Sequence, residues 1–502
     1  MAVSIRLDAP VVRPGLLKLA PGWVGLGAAG SVLLTITGAR LGGGSVSWWF
    51  HPRVLSGAGT KIIFYAGMAA LAIAWLGLGG LLRSRRARTR DLWLVALLWC
   101  LPLAIGAPLF SRDVYSYLAQ GTIAHLGLSP YHAPPLVLGP LGHPQVLHAV
   151  DPYWRSATAP YGPLFLGAVS VIVAVTGAHL IAGVLLIRAL ELAGFALVAI
   201  FVPRLARATG ADPARALWLT ILSPLVLLQL IAPAHNDLLM IGVMLAGVTL
   251  ALEGRALWGV ALCALAATIK VPAIAAAIFV AFAWARAMPD WRGRITRSAK
   301  AAAVAVAVAG AVTIITGFGL GWISSALFST PARVRLAITP ATDLSWTLAA
   351  LLRDLGAGVT FRALESVLRA VAFAATVLVA LALLRKTATP TIPRYLGLAL
   401  VAFALGGPAV WPWYLCWGLV LLAAWSPAQR SRAIVVAILL GSFVVKPNGI
   451  LALPLRSSPV VAALWITAAA LAGYTWMRKD RGFRSAELND RLGTTRSALA
   501  EP

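Results

Sequence analysis

Acidic side chains are scarce in this chain, 16 Asp and Glu against 42 Lys and Arg, so the groups able to take a proton form a short roster. Asp113 stands in SRDVYSYLAQG, just past the end of an apolar stretch. A carboxylate at the depth where a lipid head group meets water is partly desolvated, which raises its basicity and suits it to deprotonate a hydroxyl. The same letters serve a plainer task, with Ser111 or Asp113 capping an interfacial helix from Val114 to about Ala124. His235, Asn236 and Asp237 are consecutive between two apolar stretches and could hold hydroxyls or a phosphate, or Asn236 could cap the following helix. Lys270 tops a short apolar hairpin, either as a snorkelling cation or as a contact for a phosphate. Arg112, Tyr115 and Tyr161 are further candidate substrate contacts in the neighbouring segments. Trp411, Trp413 and Tyr414 in the run WPWY fit an interfacial aromatic belt and equally a surface on which a sugar ring stacks.

Other charges invite weaker readings. Asp151 in DPYWR reads as a turn residue with a smaller claim on the site, and Asp343 and Asp354 complete the acids expected on the outer face. Arg188 and Glu191, three apart within one apolar stretch, read as a self-neutralising structural ion pair. Arg333 and Arg335 read as solvated loop charges, with a second phosphate clamp as the alternative. Cys100, Cys263 and Cys416 lie in separate apolar stretches, which gives neither a disulfide framework nor a metal spacing. No Walker-type loop, HExxH or Gly-rich dinucleotide motif occurs, so nucleotide-driven chemistry is not expected.

The elements that must position these groups follow from composition. Of 502 residues, 60% are hydrophobic and 12% charged, and the mean hydropathy of +0.86 is that of an integral membrane protein. The apolar stretches are too long for barrel strands, so the fold class is an all-α polytopic membrane bundle. The formal charge of +26 (42 minus 16) resides mostly in short loops, as cytoplasmic retention of Lys and Arg requires, and no nucleic-acid partner is expected. A basic arm (1–20) precedes a first span at about 21 to 41 and a second at about 61 to 82, and no cleaved signal is expected.

A third span at about 91 to 110 opens into a long outer loop, 111–177, whose end (about 161 to 177) reads as an interfacial or re-entrant helix. Spans follow at about 178 to 203, 216 to 233 and 238 to 253, then a hairpin at about 256 to 269 and 272 to 287. Beyond them come about 298 to 317, an outer loop 318–360, 361 to 385, 394 to 408, 412 to 425, 432 to 446 and 458 to 477. The charge rule gives roughly 14 crossings with both termini inside. The tail 478–502 is basic and polar and is expected to be cytoplasmic, disordered or lying on anionic lipid.

SRDVYSYLAQG, APYGPL (159–164), HNDLLMIG, KVPA and WPWYL together resemble the GT-C class of polyprenol-phosphate-sugar-dependent glycosyltransferases. More narrowly, they resemble the actinobacterial polyprenol-phosphate-mannose-dependent α-1,6-mannosyltransferases of lipomannan assembly, over about residues 91 to 450. The resemblance implies a plasma-membrane enzyme with its site on the outer face. Its donor would be polyprenyl-phosphate mannose, β-linked, and its acceptor a lipid-anchored mannan. It implies a catalytic Asp in the first outer loop, carried here onto Asp113, and needs no cofactor. Two spans precede the GT-C-like core, and Arg112 stands where many members carry a second acid, which speaks against a divalent metal. In this scheme Asp113 is the base, Lys270 with Arg112 or His235 holds the leaving phosphate, and attack from the opposite face inverts the linkage. A flippase of polyprenol-linked sugars would need the cation and the aromatics but no base, and an outer-face glycan ligase or polymerase would share the long loops.

Overall fold

The computed structural model describes residues 20–450 apart from 43–45, 49–56, 85–87, 178 and 327–338. The arm before residue 20, Arg333, Arg335, the stretch at 458 to 477 and the tail 478–502 lie outside the described residues. The chain forms two compact units, one of 1–337, 375–405 and 409–453, the other of 338–374, 406–408 and 454–502.

In chain order the first unit holds α1 (Pro21–Leu41), α2 (Gly57–Ser84), α3 (Thr89–Ile105), α4 (Asp113–His125), α5 (Pro163–Thr176), α6 (Leu180–Ala208) and α7 (Pro213–Leu219). After a bent connection come α8 (Asp237–Leu252), α9 (Ala256–Ala267), α10 (Ile274–Arg286) and α11 (Trp291–Thr316). Proline opens α1, α5 and α7, where its fixed φ suits a first helical turn and its missing N–H costs nothing. Asp212 caps α7 by accepting the Ala214 N–H at 2.8 Å, and Asp290 caps α11 through the Gly293 N–H at 2.7 Å.

The second unit contains α12 (Pro340–Asp354), which carries Asp343 and Asp354, and α13 (Phe361–Arg385) begins in it. Trp346 stacks on Phe361 at 4.0 Å, and Arg369 pairs with Glu365 at 3.1 Å. The chain then returns to the first unit through α14 (Ile392–Gly406), α15 (Cys416–Leu422) and α16 (Arg432–Phe443).

Five described helices, α1, α2, α6, α11 and α13, are long and apolar enough to cross a bilayer, and the bent pair Pro213–Leu219 with Pro224–Ile231 makes up to six. That measure does not reach the roughly 14 crossings read from hydropathy. The reason is length. The stretches expected to form the remaining spans fold as helices such as the 16-residue α8, the 12-residue α9 and the 13-residue α10. At about 1.5 Å per residue these fall short of the roughly 30 Å of hydrocarbon. The stretch expected to lie in the interface is the 14-residue α5, and the stretch read as one span at 216 to 233 is the pair bent by 41°. On α11, Ile314 and Ile315 are more than four-fifths exposed, a surface that lipid would cover favourably.

Two approaches fix the helices that carry the candidate residues. Gly194 of α6 and Gly242 of α8 lie against each other, and a Cβ on either would strike the other helix's backbone. Gly162 donates its N–H to the Ile269 carbonyl at 2.9 Å and Leu164 to the Thr268 carbonyl at 3.0 Å. A Cβ at Gly162 would collide with that Thr268 carbonyl, so glycine alone permits the start of α5 to lie against the residues before Lys270.

Candidate active site

Asp113 is the first residue of α4, and its backbone N–H is taken by the Ser111 hydroxyl at 3.1 Å. Phe110, three residues earlier, has φ +64 and is tied by its N–H to the Pro447 carbonyl at 2.8 Å. This turn points the carboxylate at His235, whose Nε2 lies 3.5 Å from Asp113 Oδ2. The other imidazole nitrogen, Nδ1, is 2.6 Å from the Gln229 carbonyl and must donate to it, since a carbonyl only accepts. His235 sits after a π-helical turn (Leu227–Ile231) and after Ala234, with φ +60. Among the described residues, Phe110 and Ala234 are the non-glycines with positive φ, and each precedes one half of the cluster.

Asp237 opens α8 and is fully buried. Both its oxygens accept from Lys270 Nζ at 2.8 Å, and Oδ1 also accepts the Trp417 indole N–H at 2.6 Å. Lys270 lies 4.9 Å from the Tyr414 ring centroid, 5.7 Å from Trp417 and 5.9 Å from Tyr161, so three aromatic faces line the ammonium. Trp413 leans on the His235 ring at 4.1 Å and stacks on Trp411 at 4.8 Å. Tyr161 meets Tyr117 edge to face at 4.9 Å. For the Asp113 carboxyl, burial favours the neutral acid, but the His235 ring, Lys270 and Ser111 outweigh it and hold the group below its ordinary range, so the raised basicity expected from desolvation alone is not found.

Of the residues singled out from sequence, Asp113, Tyr161, His235, Asp237, Lys270, Trp411, Trp413 and Tyr414 gather in this one cluster. Lys270 is not a free cation awaiting a phosphate, because Asp237 already holds it through both oxygens. Arg112 is turned to the one-turn helix Pro144–Ala149, where it donates to the Ala149 carbonyl at 2.5 Å, and the guanidinium is engaged there rather than with the carboxylates. Tyr115 lies beside Arg188 and Arg112, and burial pushes its phenol up to about 12. Asn236 occupies the N-cap position of α8, yet its side chain makes no capping bond and both its polar atoms are buried without a protein partner. Asp151 accepts from the Tyr153 N–H at 3.0 Å as a turn residue.

The pairing of Arg188 with Glu191 does not occur. Arg188 donates to the carbonyls of Ala104 (2.9 Å), Gly106 and Ala232 (2.6 Å), while Glu191 accepts the Leu239 N–H at 3.1 Å. Trp417 was not among the sequence candidates, although it follows Trp413 at the helical interval of four that would have put both on one face. Tyr117, four residues beyond Asp113, is recoverable by the same interval.

Residues 24–286 match the alpha-(1->6)-mannopyranosyltransferase N-terminal domain of the MptA/MptB family, and residues 341–478 match the MptB C-terminal domain. The chain belongs to this family. It is similar to alpha-(1->6)-mannopyranosyltransferase A of Mycobacterium tuberculosis, at 34% identity over 84% of each chain. It is 30% identical to alpha-(1->6)-mannopyranosyltransferase B of Corynebacterium glutamicum over 84% of this chain and 75% of that one. A probable alpha-(1->6)-mannopyranosyltransferase of Mycolicibacterium smegmatis is 35% identical over 76% of this chain and 74% of its own. The MptA/MptB relationship makes this chain a mannosyltransferase, and its apolar helices fit a multi-pass membrane protein. Within the MptA/MptB frame, the Asp113–His235 and Asp237–Lys270 contacts form the candidate catalytic centre.

Proposed function

We propose that this mannosyltransferase moves mannose from polyprenyl-phosphate mannose to a lipid-anchored mannan, forming an α-1,6 linkage with inversion, at the outer face of the plasma membrane. The observation that carries the reading is the Asp113–His235 contact at 3.5 Å in a cluster that also contains the Lys270–Asp237 pair. The acceptor oxygen attacks the anomeric carbon of the β-linked donor as the bond to phosphate oxygen breaks. The hydroxyl proton passes to Asp113, and the lipid phosphate leaves with its electron pair without needing a proton.

His235 joins the base. With Nδ1–H committed to the Gln229 carbonyl, a neutral ring would turn a lone pair toward an ionised Asp113. A proton between Nε2 and Oδ2 makes the contact favourable and leaves the pair with no net charge, so the two residues act as a neutral dyad that gains a positive charge only when Asp113 takes the hydroxyl proton. Two of the three N–H groups of Lys270 reach Asp237, which leaves the third for a phosphate oxygen. Trp411 and Trp413 offer a stacked surface to a sugar ring.

The test is transfer by the purified protein from labelled polyprenyl-phosphate mannose to a short α-1,6-mannoside. Asp113→Asn should lower turnover by roughly 10² to 10⁴ with expression intact. Near-normal transfer by that variant would remove Asp113 from the role, and movement of intact donor across the bilayer without transfer would favour a flippase.

A further inference from the structure

Arg188 and Glu191 are buried in α6, one helical turn apart, and no step of the chemistry above uses them. Each bonds backbone from a different part of the site. The Arg188 Nη1 donates to the carbonyls of Ala104 and Gly106, among the last carbonyls of α3, which have no helical partner of their own. Trp48 takes the Ile105 carbonyl between them at 3.2 Å. This end of α3 leads directly into the turn that presents Asp113.

The Arg188 Nη2 donates to the Ala232 carbonyl at 2.6 Å, three residues before His235. The Leu109 N–H reaches the same carbonyl at 3.4 Å. One turn farther along α6, Glu191 Oε2 accepts from Leu239, the third residue of α8, which is an orphan donor at that helix start. Asn236, in the N-cap position, leaves that donor unmet. Glu191 therefore does the work of an N-cap from another helix, two residues beyond Asp237.

We infer that Arg188 and Glu191 are positioning residues that set the separation between the Asp113 turn and the segment carrying His235 and Asp237. The inference rests on the catalytic reading above for its kinetic consequence, but not for its structural one. A guanidinium is suited to the task, because its rigid fork serves carbonyls on two segments at once while an ammonium gathers its donors on one atom. Reaction geometry is sensitive to displacements of about 1 Å, at a cost of up to roughly 10²-fold in rate.

The experiment compares Glu191→Leu, Glu191→Gln, Arg188→Lys and, as a control, Trp75→Phe. Trp75 donates to the Trp218 carbonyl at 2.9 Å between α2 and α7, so its loss removes a buried hydrogen bond that none of the cluster's residues makes. Each purified protein is assayed for kcat, donor KM and melting temperature, and by hydrogen exchange over residues 230–240.

Glu191→Leu should lower kcat about 10²-fold and donor KM should move less than about threefold, with faster exchange at 236–240. Glu191→Gln keeps an acceptor for the Leu239 N–H and should recover most of kcat and the slow exchange. Arg188→Lys should lower kcat about tenfold. Trp75→Phe should lower the melting temperature and leave kcat per folded molecule unchanged. Unaltered exchange in Glu191→Leu, or equal impairment of Glu191→Gln and Glu191→Leu, would overturn the inference. So would a kcat loss in Trp75→Phe that matches that of Glu191→Leu. A wild-type protein that transfers no mannose would defeat the catalytic reading instead, and the exchange comparison would still decide whether Glu191 holds α8.

Discussion

The Asp237–Lys270 pair allows structure and catalysis to be separated. Asp237 is fully buried, and the Lys270 side chain is 12% exposed. Converting Asp237 to Leu leaves the ammonium without its two oxygens and the Trp417 indole without its acceptor. Breaking a buried pair from one side costs about 3–5 kcal/mol, a large share of the 5–15 kcal/mol that holds a typical domain. Lys270→Met strands the carboxylate but leaves it the Trp417 bond, so its cost should sit at the lower end of that range.

The double variant Asp237→Leu with Lys270→Met removes both charges. It should recover most of the lost stability, since a buried ion pair replaced by apolar groups is often neutral. Thermal unfolding of the purified protein measures this as a double-mutant cycle in which the double variant loses at least about 2 kcal/mol less than the sum of the single losses. Transfer should not recover with the fold, because the third Lys270 N–H proposed for the phosphate is gone. A double variant that regains both stability and near-normal turnover would refute the phosphate role of Lys270. One that regains neither would refute the claim that the pair is matched.

Gly162→Ala should cut transfer at least about tenfold, because the new methyl meets the Thr268 carbonyl and pushes apart the segments carrying Tyr161 and Lys270, a change visible as lost turnover in well-expressed protein. Because the Asp113 carboxyl lies below its ordinary range, it is ionised throughout neutral pH. The limb of kcat/KM on which Asp113 gains a proton should therefore lie below the ordinary carboxylate range, and any stability from its ionisation is lost as pH falls out of that range through the group's own, lower pKa. His235→Gln removes the imidazole that opposes burial, so the same limb should move upward in pH, and a limb that stays put would deny the dyad. Trp417→Phe deletes a hydrogen bond to a charged acceptor and should cost about 1.5–3 kcal/mol of stability in a melting experiment. A cysteine at the exposed Leu141, in the 111–177 loop, should react with an impermeant maleimide in intact cells, and labelling only after lysis would place the site on the wrong face.

The candidate cluster was legible where charge is rare. In a chain with 12% charged residues, Asp113, Asp237 and Lys270 stand out at the ends of apolar stretches, and all three fall in the cluster. What a linear reading could not supply was partnership across distance. Lys270 and Asp237 are 33 positions apart and Trp417 is 180 from Asp237, so neither interval carries a periodic signal. Arg188 and Glu191 misled for the opposite reason. Neighbours on one helix suggest a pair, whereas both reach outward to unmet backbone groups that no sequence pattern reveals. Hydropathy marked most of the apolar helices, but it does not distinguish a stretch broken at Pro224 or ended after 12 residues from one that crosses a bilayer.

The two carboxylates share a placement that explains how a strongly apolar fold tolerates them. Asp113 and Asp237 are each the first residue of a helix, α4 and α8, where the peptide dipoles and unmet N–H groups favour negative charge. A carboxylate in a helix interior lacks the free N–H groups of its own helix start and must find a partner elsewhere, as Glu191 does at the Leu239 N–H. The same helix starts suit an arriving phosphate, since they favour any anion. A fully neutralised site would offer a phosphodiester nothing, and one with a spare buried cation would destabilise the empty protein. The arrangement matches Lys270 with Asp237 and Asp113 with His235, so the empty protein holds no spare buried charge in the cluster. Under the proposed reaction, a phosphate oxygen need then only take the Lys270 N–H that Asp237 leaves free.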